Sequence, residues 1–329
     1  MGSANIGIGQ MRMGWLQTAV RGLNPSEIAK TLCCGLYRQV AAMALLTLCL
    51  FPASPSLAWD ARASGEEYER LFVLANIEFT LLHELAHVLI WEMKPPVLGR
   101  EEDAADNIAM IAEMRMPERA GEAGMLEKLQ AVADGWKMEW RLIQEDELEN
   151  AYWDLHALEI QRYYNIACLV YGADPKNRAA ILEAAELPTD RAEWCEEEYA
   201  MANRAVNWLL TQGAQSLRGA SALRRGVISV RHEANRSLEG EKLDAWLEQS
   251  RIAERLAEAV SRRFHLPRDV QISFENCPFA NAAWNAETAS IKFCHSLLNR
   301  FLYLARELQK DRLRQADASL WLPDDRSQP

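Results

Sequence analysis

Three residues that could do chemistry stand close together: His83, Glu84 and His87, inside the run Phe79-Thr-Leu-Leu-His-Glu-Leu-Ala-His-Val-Leu-Ile90. Two histidines four apart on a helix project from one face, because the helix turns once per 3.6 residues. Both imidazoles then reach one metal ion, and Glu84 leans over the same centre. This is the HExxH spacing of a zinc peptidase, with two ligands and a general base from one turn of chain. The ordinary alternative is a buried helix whose histidines satisfy core hydrogen bonds. Leu81, Leu82, Leu85, Ala86 and Val88 make the surroundings apolar, and burying a glutamate and two imidazoles among them without a function would be costly.

A catalytic zinc needs a third protein ligand and an open position for water. The next polar cluster is Gly99-Arg-Glu-Glu-Asp-Ala-Ala-Asp106. Pro95 and Pro96 end the first helix, Gly99 allows a turn, and a second helix is predicted from about Glu101. Glu102 and Asp106 share a face of it. Glu102 is assigned as third ligand, and Asp106 as acceptor for the free N–H of a ligating histidine, fixing its tautomer. Glu101 and Asp103 are accounted for by the preference of acids for helix N-termini.

The elements that must hold these residues read as mainly α, with a small α+β region at the C-terminal end and zincin-like active-site helices. Helical patterning covers residues 66–93, 101–116, 124–143, 154–171, 177–185, 192–212, 243–264 and 295–314. Residues 226–233 are β-like, and 269–274 and 290–294 read as two short strands around a loop. A boundary near residues 213–225 is compatible with the pattern, but one compact unit over residues 59–329 is favoured.

The run around His83 and the stretch Pro96-Val-Leu-Gly-Arg-Glu-Glu-Asp-Ala-Ala-Asp106 resemble the gluzincin arrangement, HExxH followed by ExxxD on the next helix. More narrowly, they resemble a bacterial metallopeptidase-like family of unknown function. The resemblance continues through Trp153-Asp-Leu-His-Ala-Leu-Glu-Ile-Gln-Arg-Tyr-Tyr-Asn165, Cys168-Leu-Val-Tyr-Gly-Ala-Asp-Pro175, Cys195-Glu-Glu-Glu-Tyr199, Leu266-Pro-Arg-Asp269, and Cys277 with Asn281-Ala-Ala-Trp-Asn285. It departs at Ala86, where a glycine is usual, at Asn285, where an aspartate is expected, and at Cys294-His-Ser296, in place of Cys-Tyr-Glu. The resemblance implies a zinc-dependent peptidase. It also singles out His156 as the donor that would stabilise a tetrahedral oxyanion beside the metal, with Tyr163 and Tyr164 as alternatives. His232, His265 and His295 have no partner spacing and read as structural.

Residues 1–58 differ in character. They hold Arg12, Arg21, Lys30 and Arg38 against Glu27, then the uncharged run from Val40 to Phe51, then Pro52, Pro55 and Ser56-Leu-Ala58. This reads as a signal peptide cleaved after Ala58, giving a periplasmic or secreted protein; the alternative is an uncleaved N-terminal anchor. The run is shorter than the roughly 20 residues that span a bilayer, so no stable membrane insertion is expected after cleavage. The whole chain has 36 basic and 47 acidic residues, and removing the segment's four bases and one acid raises the excess of acids from 11 to 14. That balance argues against nucleic acid as a partner. Cys168, Cys195, Cys277 and Cys294 remain, an even number in an oxidising compartment, and the pairings Cys168–Cys195 and Cys277–Cys294 each close a local loop.

The expected function is hydrolysis of peptide bonds in a peptide or protein substrate by zinc-activated water, with Glu84 as general base. The alternatives are an inactive metal-binding module and a zinc hydrolase of non-peptide amides. If substrate is added as a β-strand, the edge must come from residues 226–233 or 270–294, because no strand precedes the HExxH helix in the mature chain.

Overall fold

The computed structural model describes residues 65–116, 121–219 and 225–320. The expected signal peptide and its cleavage point lie outside these residues. Helix α1 (Gly65–Met93) opens with Glu66 and Glu67 in its first turn, where acids oppose the helix dipole. It stops at Lys94, which has a positive φ of 48°, directly before Pro95 and Pro96. Its length and hydropathy would suit a membrane span, yet 89% of its most apolar stretch is buried within the protein. Its hydropathy therefore serves the core.

Helix α2 (Glu101–Arg115) returns along α1, as the pairings of His83 with Asp106 and His87 with Glu101 show. Helix α3 (Gly121–Glu145) packs against the same pair. A half-buried lysine links the three: Lys128 Nζ lies 2.7 Å from Glu78 of α1 and 3.0 Å from Glu113 of α2. Glu147, in the left-handed region at φ 53°, ends α3, with the Leu148 N–H reaching back to the Ile143 carbonyl.

Helix α4 (Glu159–Ala173) begins five residues later than the sequence pattern predicts. Asp154 accepts from the His156 backbone N–H at 2.8 Å, a local turn that competes with helix, so His156 sits on a loop. Two short helices, α5 (Ala180–Ala184) and α6 (Thr189–Ala192), lead to α7 (Cys195–Gly219). The α4–α7 contact is closed by the Cys168–Cys195 disulfide. Gly172 makes that approach possible, because a Cβ there would stand 2.0 Å from the Cys195 carbonyl oxygen.

The remaining elements are β1 (Ile228–His232), α8 (Gly240–Ser250), α9 (Ile252–Arg263), β2 (Val270–Glu275), β3 (Ala282–Asn285), β4 (Ser290–Cys294) and α10 (His295–Leu320). The predicted helix over 243–264 is two helices, broken at Arg251 with φ 51°. The sheet runs β1-β2-β4-β3: β1, β2 and β4 are parallel and β3 is antiparallel to β4, with Ala282 opposite Phe293 and Trp284 opposite Ile291. Strand β3 falls inside the stretch expected to be a loop. It is four residues long, too short to announce itself by alternation. A second disulfide, Cys277–Cys294, holds the segment before β3 to the end of β4. Phe274 and Phe293 fill the sheet's inner face, while β3 packs on α1 and α10 lies along α1 and α3.

Candidate metal centre

Helices α1 and α2 run antiparallel, so the residues at 83 and 87 face the first two turns of α2. His83 Nε2, His87 Nε2 and Glu102 Oε2 converge: the nitrogens are 3.1 Å apart, and the oxygen lies 3.1 Å from the first and 3.2 Å from the second. Together they form a group able to hold a metal ion, with both histidines buried and Glu102 half-buried. The opposite ring nitrogens are committed elsewhere. His83 Nδ1 donates to Asp106 Oδ1 at 2.8 Å and His87 Nδ1 to Glu101 Oε1 at 2.7 Å. Those bonds leave both Nε2 lone pairs pointing inward at each other and at a carboxylate.

Three electron pairs aimed at one point repel unless a cation sits among them. Protons can do this, and they set the charge state of the metal-free protein. Burial alone would lower the pKa of His87, but bonds to Glu102 and Glu101 outweigh it and lift it to about 9. His83 is likewise raised, burial being outweighed by Asp106 and Glu102. Glu102 is held far below the usual carboxylate range by bonds from His156, His83 and His87. A divalent ion would neutralise the same three atoms at once. Tetrahedral ligands about 2.0–2.1 Å from zinc stand roughly 3.3 Å apart, close to the spacings here. Two imidazoles and one carboxylate are also a donor set that zinc accepts. The residues fit the ion.

The bonding extends beyond these three residues. Burial pushes the Asp106 carboxyl up, but the Arg162 charge and the His83 bond bring it below its ordinary value. Arg162 grips Asp106 with two bonds, at 2.8 and 2.6 Å, and its guanidinium lies 3.6 Å over the Trp136 ring. Arg162 carried no signal of its own in the sequence; it lies within the resembling stretch but has no spacing to the motif. Glu101, accounted for by helix polarity, also orients His87.

Glu84 is buried beside the two histidines. Burial raises its pKa, and the His83 and His87 charges and a bond from the Trp284 backbone N–H offset this only in part. Trp284 lies on β3, at the open edge of the sheet. His156 is half-exposed, with Nε2 3.0 Å from Glu102 Oε2 and Nδ1 2.9 Å from Asp154 Oδ1. Tyr163 points elsewhere: its ring faces Lys137 and lines a separate apolar cavity with Leu129 and Ile166. His232 pairs with Glu254 and stacks on Phe274, and His295 donates to the Glu233 carbonyl.

A cavity of about 280 Å³ opens on the centre, bounded by His83, Glu84, Trp136, His156, Asn281 and Phe301. A second, of about 390 Å³, lies beyond His156, bounded by Leu148, Glu149, Asp154, Glu159 and Arg162.

The family profile DUF4344, described as "Putative metallopeptidase", matches residues 46–210 and 232–320. The chain belongs to this family. No curated protein and no solved structure matches it. The matched residues of this metallopeptidase family member include both helices of the centre, the His156 loop, and β3.

Proposed function

We propose that the protein is an exported zinc-dependent peptidase. The observation that carries this reading is the convergence of His83 Nε2, His87 Nε2 and Glu102 Oε2, with the Glu84 carboxylate buried beside them. Zinc bound there would supply Lewis acidity, lowering the pKa of water and polarising a substrate carbonyl.

The chain's own groups supply the rest. Glu84, with its pKa raised by burial, is suited to take the proton of the attacking water and return it to the leaving amine. The Trp284 N–H fixes the direction of that carboxylate. His156 is steadied by Asp154, and its Nε2, which bonds Glu102 Oε2 here, would turn from that oxygen to the one that gains charge as the carbonyl is attacked. Arg162 and Asp106 hold the His83 ring in one orientation. Among the described residues strand β3 is an edge of the sheet, and Asn281 and Ala282 line the cavity with His83, so an extended peptide could add there as a further strand. Export is supported by the basic-then-apolar N-terminal pattern and by the two disulfides.

The test is hydrolysis of a peptide library by wild type and Glu84→Gln. The reading expects cleavage by wild type, and in the variant a loss of at least about a hundredfold with zinc retained. A zinc-loaded wild-type protein that cleaves no peptide would overturn it, and cleavage of non-peptide amides alone would move the substrate class.

A further inference from the structure

We propose that the peptide taken by this site is cationic and apolar: a segment in which large aliphatic or aromatic side chains alternate with lysine or arginine. The inference rests on the peptidase reading above and names its substrate class. The two cavities share His156, Glu159 and Arg162, so the cleft runs along both sides of the histidine. Its unpaired charge is acidic. Arg162 is paired with Asp106, and His156 with Glu102 and Asp154, whereas no ion pair to Glu149 or Glu159 is found among the described residues.

The loop between α3 and α4 carries the same sign. From residue 142 to residue 161 the chain has no lysine or arginine; Glu145 is paired with Arg141 and Asp154 with His156, but Asp146, Glu147, Glu149 and Glu159 have no ion pair among the described residues.

This acidic loop is also unusually apolar at its surface. Leu148 is 58% exposed, Tyr152 76%, Trp153 74% and Leu155 72%. One exposed apolar side chain is ordinary, but four within eight residues, beside a cleft, mark a contact surface. The loop is pinned toward the centre, because Arg100 donates to the His156 carbonyl at 3.2 Å and Asp154 holds the His156 ring. Aromatic and aliphatic groups held there can receive apolar side chains of a bound peptide, with the carboxylates around them receiving its charges. An anionic bilayer is disfavoured as occupant by those same carboxylates.

Binding is best read without turnover, in the zinc-loaded full chain carrying Glu84→Gln, by anisotropy of labelled peptides. Three probes suffice: leucine–lysine, leucine–glutamate and serine–lysine repeats of equal length. The leucine–lysine peptide should bind at least about tenfold tighter than either other peptide. Glu149→Lys together with Glu159→Gln should remove about tenfold of that affinity, with unchanged thermal melting. Trp153→Ser should weaken the leucine–lysine peptide and leave the serine–lysine peptide as it was. Equal binding of the leucine–glutamate peptide, insensitivity to the charge changes, or preferential binding to phosphatidylglycerol vesicles would overturn the inference. The two readings fail separately. A wild type that shows this preference and cleaves nothing sinks the peptidase reading alone. One that cleaves acidic peptides equally well sinks this inference alone.

Discussion

At the scale of single residues, the centre depends on which nitrogen of each histidine faces inward, and carboxylates on α2 decide that. Asp106 orients His83, and Arg162 in turn holds Asp106. Arg162→Met would leave the Asp106 charge with His83 alone as partner in a largely buried place. We expect a loss of about 3 kcal/mol in denaturant unfolding, and about tenfold weaker zinc binding. A variant as stable as wild type would show that the pair does not carry this load. The protons on His87 make a second prediction. Its pKa is raised to about 9 in the metal-free protein. The stability contributed by its carboxylate bonds is therefore full below about pH 6.5, the unfolded value, and lost as pH rises through about 9. Metal binding runs the opposite way, because it needs the neutral ring. Zinc affinity measured against a competing chelator should rise by about tenfold per pH unit for each proton displaced across that window, with protons released on binding. An affinity flat with pH would contradict the bonding described. The grouping of His83, His87 and Glu102 was legible because each spacing stays within one helix or the next. Arg162 was not, since nothing local ties residue 162 to residue 106.

Among the elements, the antiparallel pair α1 and α2 brings His83, His87 and Glu102 together, and the α4–α7 contact supports the helix that supplies Arg162. That contact is set by close approach at Gly172 and by Cys168–Cys195, a bridge across a sequence separation of 27 residues. Gly172→Ala would drive a methyl into the Cys195 carbonyl, and should cost about 1–3 kcal/mol by thermal or chemical unfolding while leaving zinc content unchanged. A neutral substitution would mean that the two helices separate freely. Most helices were legible from apolar periodicity, and the disulfide pairing from local loop closure. The exceptions have local causes. Asp154 turns the chain at His156 and delays α4, and Arg251 in the left-handed region splits one predicted helix into α8 and α9. Strand β3 owes its existence to pairing with β4, a contact that alternation within four residues does not reveal.

For the whole molecule, the central fact is that the most apolar long helix among the described residues is also the one that carries the HExxH motif. Burying α1 among α2, α3, α10 and the sheet takes Glu84 largely out of water and so raises its pKa, while bonds to the acidic residues of α2 raise those of the histidines against the effect of burial. The Glu84–Trp284 contact joins positions two hundred residues apart and brings the sheet edge to the centre; sequence spacing holds no trace of it. The predominance of helix with a small C-terminal sheet was legible as composition and pattern, but the placement of that sheet over the motif was not. The most direct test of the account is metal content by elemental analysis, on wild type and His87→Ala purified alike and equilibrated with zinc. The account predicts about one zinc per wild-type chain and a near-complete loss in the variant. A folded wild type that takes up no zinc, or a variant that holds as much, would contradict it.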